Sequence, residues 1–128
     1  MNIRRLAEIP LFEGLDEQAL KAVGAWVTEE SVEAGRVLVR EGDFSPDLTI
    51  VDEGTARIEH EGVEIAQVGP GEIYGEQGLM HKTQRNATVV ALTDMRLIHM
   101  TRFDLLRLKG EYPELLERIE RIEAERNA

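Results

Sequence analysis

The sequence predicts a mainly β fold: an antiparallel β jelly-roll barrel with helices at both ends. Three observations point there. The central region, from about residue 32 to 100, breaks into short apolar runs separated by Gly, Asp and Pro turn signals, the pattern of many short strands at near-regular spacing. The segments on either side carry apolar residues at helical spacing instead. Cysteine is absent, so neither a disulfide framework nor a thiolate metal site takes the place of an ordinary hydrophobic core.

At the N-terminus, Ile3, Leu6 and Ala7 give a short apolar helical face that Pro10 ends. Asp16 is placed to cap a second helix, whose apolar positions Ala19, Leu20, Val23, Trp26 and Val27 recur at helical spacing. Strands are expected over 36–40, 48–52, 55–59, 63–68, 87–92 and 96–100. Turn signals separate them at Glu41-Gly42-Asp43, Glu53-Gly54, Glu61-Gly62, Gly69-Pro70-Gly71 and Thr93-Asp94. Alternation is clearest in Ala56-Arg57-Ile58-Glu59 and in Val63-Glu64-Ile65. Beyond Thr101 the pattern returns to helix. Leu105, Leu108, Tyr112, Leu115, Ile119 and Ile122 step by three and four, with Gly110 and Pro113 dividing a short helix from a longer one. Glu114 with Arg118 and Glu117 with Arg121 are spaced for helix-stabilising pairs. The seam is short, so the expectation is an amphipathic helix lying on the barrel rather than an independent coiled coil.

These elements amount to one domain over 1–128, with N-terminal helices over 1–28, a β-roll over 29–100 and C-terminal helices over 101–128. The chain has a net charge of −10, which disfavours binding a DNA backbone or an anionic lipid surface. The N-terminus reads as no signal peptide and no segment as a membrane span, so the expected location is cytoplasmic, with no DNA and no membrane partner. The acidic excess is uneven. Over 66–93 the charged residues are Glu72, Glu76, Lys82 and Arg85, which sum to zero, so a small anion can be accepted locally.

That neutral stretch holds the most informative residues, Tyr74-Gly75-Glu76-Gln77-Gly78-Leu79 followed after a gap by Arg85-Asn86-Ala87-Thr88-Val89. Glycines let backbone N–H groups approach a ligand, and a turn running into a helix aims them at one point, as an anion requires. Arg85 adds a permanent charge suited to phosphate oxygens. Ionised Glu76 only accepts hydrogen bonds, so it suits a hydroxyl and repels a phosphate. A ribose cyclic phosphate satisfies both. The plainer role of Arg85 is a surface ion pair with Glu72 or Glu76, worth little in water, and that of Glu76 is a solvated turn carboxylate.

The stretch resembles the phosphate-binding cassette of cyclic-nucleotide-binding domains, such as those of the catabolite activator protein, kinase regulatory subunits and gated channels. Tyr74, Gly75, Glu76, Gly78, Leu79, Arg85, Ala87, Thr88, Val89 and Ala91 carry the match, over a cassette of about 74–89, and the glycine spacing of the whole strand region is similar too. Gln77 stands where such cassettes usually have Leu or Ile, and Asn86 where Ala, Ser or Thr is common. The resemblance implies a ligand, cyclic AMP or cyclic GMP (cAMP or cGMP), and no other cofactor. It implies a site built from Gly75, Glu76, Gln77, Gly78, Leu79, Arg85, Asn86, Ala87 and Thr88. Glu76 would bind the ribose 2′-hydroxyl and Arg85 the exocyclic phosphate oxygens, helped by backbone N–H groups around Gly78 and Ala87. It further implies that the helix after the barrel closes over the nucleotide. The chain stops at Ala128 without a helix-turn-helix, so the expected output is a homodimer through the last helix, a partner protein in trans, or none.

Two other functions compete. One is a vestigial cassette that binds no nucleotide and serves as a protein-interaction module, which Gln77 and Asn86 would favour. The other is a metal-dependent barrel enzyme using His60, His81 and His99. Their wide separation argues against it, His60 reading as a turn residue, His81 as a loop residue and His99 as a partner of the sheet. No serine sits in a nucleophile motif, so the chain is expected not to be an enzyme.

Overall fold

Two helices and a 3-10 turn precede the sheets in the computed structural model, which describes residues 2–43, 48–75 and 87–126. Helix α1 (Ile3–Ala7) opens on Asn2, whose side chain accepts the Arg4 N–H. The turn, Pro10–Phe12, starts on a proline that presets φ and offers no donor. Helix α2 (Glu17–Trp26) is capped by Asp16 as expected, the carboxylate accepting the Ala19 N–H at 2.8 Å.

The described strands are β1 (Thr28–Val32), β2 (Val37–Val39), β3 (Leu48–Glu53), β4 (Ala56–His60), β5 (Val63–Val68), β6 (Ile73–Tyr74), β7 (Thr88–Ala91) and β8 (Met95–Met100). They form two antiparallel four-stranded sheets, ordered β1-β8-β3-β6 and β2-β7-β4-β5. The jelly-roll expectation is met by two facing sheets that do not close into a continuous barrel.

Strands β3 and β8 of the first sheet are buried on both faces, and the two-residue period of a strand sorts their side chains between two cores. Leu48, Ile50, Ile98 and Met100 pack with Leu6, Phe12, Val23 and other helical residues. Their alternates Val51, Met95 and Leu97 pack between the sheets with Ala56, Val68, Tyr74, Val89 and Ala91. This is why β3 and β8 read as nearly continuous apolar runs rather than as alternating ones.

Helix α3 (Arg102–Glu111) leaves β8 through a capping box in which Asp104 accepts the Thr101 N–H at 2.8 Å and Thr101 accepts the Asp104 N–H. Helix α4 (Pro113–Arg126) follows. Gly110 lies inside α3, so the break falls later than the glycine suggests. It occurs at Tyr112, with φ −138° and ψ 64°, because proline drives its preceding residue out of the helical region. Leu108, Leu115 and Ile119 are fully buried against α1, the 3-10 turn and the first sheet, with Tyr112 and Ile122 partly buried beside them. The helical seam therefore lies on the roll. Arg118, spaced for a pair with Glu114, donates instead to the Leu11 carbonyl at 2.6 Å and fastens α4 to the N-terminal turn.

Candidate functional site

The described ends of the cassette arise from different sheets. Strand β6 sits at the edge of the first sheet, paired with β3 through Thr49 and Ile50. It ends at Gly75, whose φ of +89° is a conformation that side chains bearing a Cβ rarely adopt. On the return, Ala87 leads into β7, an inner strand of the second sheet flanked by β2 and β4. Tyr74 and Val89, just outside the two ends, are both buried in the core between the sheets. One hydrophobic core thus anchors both shoulders of the segment.

Of the expected site residues, Gly75, Ala87 and Thr88 are described. Glu76, Gln77, Gly78, Leu79, Arg85 and Asn86 lie outside the described residues, as does His81. Thr88 has a structural duty: its hydroxyl oxygen accepts the Glu41 N–H at 3.1 Å, tying β7 to the turn after β2. A hydroxyl that accepts one bond can also donate its own proton. Glu72, a candidate partner for Arg85, accepts the Gly69 N–H at 3.0 Å and closes the turn before β6.

Beside the shoulders runs a short apolar surface on the second sheet. Ile58 on β4 stands in register with Val89 on one side and Ala66 on the other. Ala66 shares a strand face with Val68, which is buried between the sheets, yet Ala66 itself is exposed. The inner surface of the β4–β5 hairpin therefore passes from core to open surface on the far side of β4 from β7. Its only sequence signal is the Ile58 and Ala66 alternation, which any half-buried hairpin would show.

The carboxylates farther away serve the framework. Arg5 reaches from α1 to Asp52 at 2.5 Å and Glu53 at 2.7 Å. Burial pushes the Asp52 carboxyl above its ordinary range, against the pull of Arg5. Arg96 pairs with Glu29 at 2.6 Å across β8 and β1. His99 contacts Thr49 and Glu30 side chains, the sheet-partner role expected of it. Among the described residues no cluster of His, Asp and Glu is arranged to hold a metal ion, and no helix is long and apolar enough to cross a membrane.

Two facing antiparallel sheets with helices at either end, and a glycine-led segment whose described ends belong to different sheets, define a β-roll domain. The family signature described as cyclic nucleotide-binding domain matches residues 29–112, and the chain belongs to that family. It is 28% identical over 112 residues to a cAMP-dependent protein kinase regulatory subunit of Schizosaccharomyces pombe, covering 87% of this chain and 27% of that protein. It is 29% identical to a cyclic nucleotide-gated potassium channel of Rhizobium etli, covering 98% of this chain and 35% of the channel. The chain therefore spans only about a quarter to a third of these relatives' length. The crystal structure of the Thermus thermophilus catabolite activator protein superposes with a TM-score of 0.82 at 29% identity, over 91% of this chain and 57% of that one.

Proposed function

We propose that this single domain is a cyclic-nucleotide sensor without catalytic activity, and that it couples occupancy of the cassette to movement of the C-terminal helices. The observation that carries this is the cassette pattern itself, spanning the two sheets of a family-typical roll between two shoulders buried in one core. In this account Arg85 and the backbone N–H groups around Gly78 and Ala87 hold the cyclic phosphate, and Glu76 accepts the ribose 2′-hydroxyl. Gly75 allows the turn, Gln77, Leu79 and Asn86 border the sugar and phosphate, and Thr88 has a hydroxyl proton left to donate. The base lies along the Ile58 and Ala66 wall.

A ligand moves only an equilibrium between states that it binds unequally. The moving part is α3 with α4, because α3 follows β8 directly and the chain breaks its helical path at Tyr112. The ligand is cAMP or cGMP, and α4 is the element offered to a second copy of the chain or to a partner. A thermal-shift panel with cAMP, cGMP and their 2′-deoxy analogues tests this. A ligand at a hundred times its dissociation constant stabilises by about 2.7 kcal/mol, so at least one parent nucleotide raises the midpoint and its 2′-deoxy analogue raises it less. No shift with either parent refutes the sensor, and equal shifts with the analogue remove Glu76 from the ligand.

A further inference from the structure

The 3-10 turn, the turn between β5 and β6, and α4 enclose a groove of about 730 Å³, a size usual for small-molecule sites. None of its described lining residues belongs to the cassette. Pro10, Leu11, Pro70 and Ile122 give it an apolar surface, and Arg118 and Arg121 are the cations among its described lining.

The two arginines stand one turn apart on α4, and each has capacity for a ligand. Arg118 gives one guanidinium N–H to the Leu11 carbonyl at 2.6 Å, which fixes its position and leaves the rest of the fork. Arg121 has the spacing to pair with Glu117, yet among the described residues it pairs with no carboxylate. Two carboxylates also border the groove. Glu72 is engaged by the Gly69 N–H at 3.0 Å, and Glu13 is exposed to water after the 3-10 turn. The groove is therefore no general basic patch, and an anion is met on its α4 side alone.

The backbone around the groove disfavours an extended peptide as its occupant. Pro10 and Pro70 have no N–H to offer. The N–H groups of Gly71, Glu72 and Glu13 are already given to the carbonyls of Val51, Gly69 and Pro10. Peptide carbonyls buried here would find few donors, and each one left unmet is costly. An apolar stem makes no such demand, and one anionic head suffices for the guanidiniums. The walls are also set in advance: a Cβ on Gly71 would lie 3.0 Å from Pro10 Cδ, so the two turns pack directly on each other. We propose that this groove is a second ligand site, which takes a small amphiphile with a carboxylate or phosphate head on an apolar stem, the head held by Arg118 and Arg121. Bound there, the ligand touches α4 and both turns at once and so stabilises the folded chain. The site stands whether or not the cassette takes a nucleotide.

Calorimetry and thermal shift on the nucleotide-free chain test it with octanoate, octyl phosphate, octanol and acetate. Octanoate or octyl phosphate should bind at one site and raise the unfolding midpoint, and comparing the two shows which head is preferred. Octanol lacks the charge and acetate lacks the stem, so both should bind about tenfold more weakly or worse. Arg121→Gln, at an exposed position, should keep the ligand-free midpoint and lose about tenfold or more in affinity, whereas Arg4→Gln on α1 should lose none. In nuclear magnetic resonance, the amphiphile that binds should shift the Gly71 amide and the Arg121 guanidinium and leave the Thr88 amide still. Absence of binding by both amphiphiles, equal binding by octanol or acetate, or wild-type affinity in Arg121→Gln overturns the proposal. A response at Thr88 without one at Gly71 moves the amphiphile into the cassette and overturns it as well.

Discussion

Arg85 is the residue on which the proposed ligand chemistry turns, because a guanidinium supplies charge and directed donors to the same phosphate. Truncating one partner of a buried, hydrogen-bonded charge pair costs roughly 2–5 kcal/mol. Arg85→Ala should therefore weaken cyclic-nucleotide binding by about 30-fold to several thousand-fold in calorimetry. Wild-type affinity in that variant would reassign the phosphate site. Glu30 makes a prediction of a different kind. Its carboxyl is held below the ordinary value of 4.5, chiefly by the hydrogen bond from His99. The stability it contributes is complete above that ordinary value and disappears as pH falls through the lower value it has in the folded protein. In denaturant titrations wild type should exceed Glu30→Gln at pH 6, and the gap should close on acidification below about pH 4.5. The difference is small because Glu30 is partly exposed and screened. A gap that widens in acid would contradict the assignment.

Among the elements, the β3–β4 turn is the least tolerant of change. Gly54 has a φ of +91°, and a Cβ there would strike the Asp94 carbonyl and come within 2.7 Å of the Met95 side chain. Gly54→Ala adds backbone strain to a collision, and a loss of about 2–4 kcal/mol in chemical denaturation is expected. A loss below about 0.5 kcal/mol, the usual size for a surface change, would show that the turn can relax. Most strands were legible because turn signals bracket them; β5 coincides with the expected 63–68, and β2, β3, β4, β7 and β8 differ by a residue at their ends. Two strands were not legible. In β1 (Thr28–Val32) the side chains facing the roll include Thr28 and Glu30, and Glu29 faces outward to Arg96, so no apolar alternation survives. Only the distant partners on β8 make those polar residues suitable for a sheet. Strand β6 has two residues, too few to show any period. The family was legible for the opposite reason, since glycines, a carboxylate and a guanidinium at fixed spacing are unusual in a plain loop, while the roles of those residues rest on the binding tests. The Ile58 and Ala66 wall has no such chemical mark.

At the scale of the whole molecule, the N-terminal and C-terminal helices share one core with the first sheet. Movement at the joint between α3 and α4 must therefore be felt by α2. Trp26, the sole tryptophan, sits at that junction. Its ring lies 5.4 Å beneath the Arg107 guanidinium and 6.1 Å from the Tyr112 ring. Saturating cyclic nucleotide should change Trp26 emission with the same midpoint as binding measured by calorimetry. Binding without any change in emission would leave the ligand uncoupled from the joint.

The position of β6 has a consequence for how firmly the first shoulder of the cassette is held. Two registered residues join it to β3, supported by the Val51 N–H to Glu72 carbonyl and Gly71 N–H to Val51 carbonyl bonds, and it stands last in the order of the described strands of the first sheet. Strand β8, by contrast, is bracketed by β1 and β3. Ile73 is buried in the core shared with the helices and Tyr74 in the core between the sheets, so loosening β6 would uncover both cores at once and sits toward the costly end of local opening.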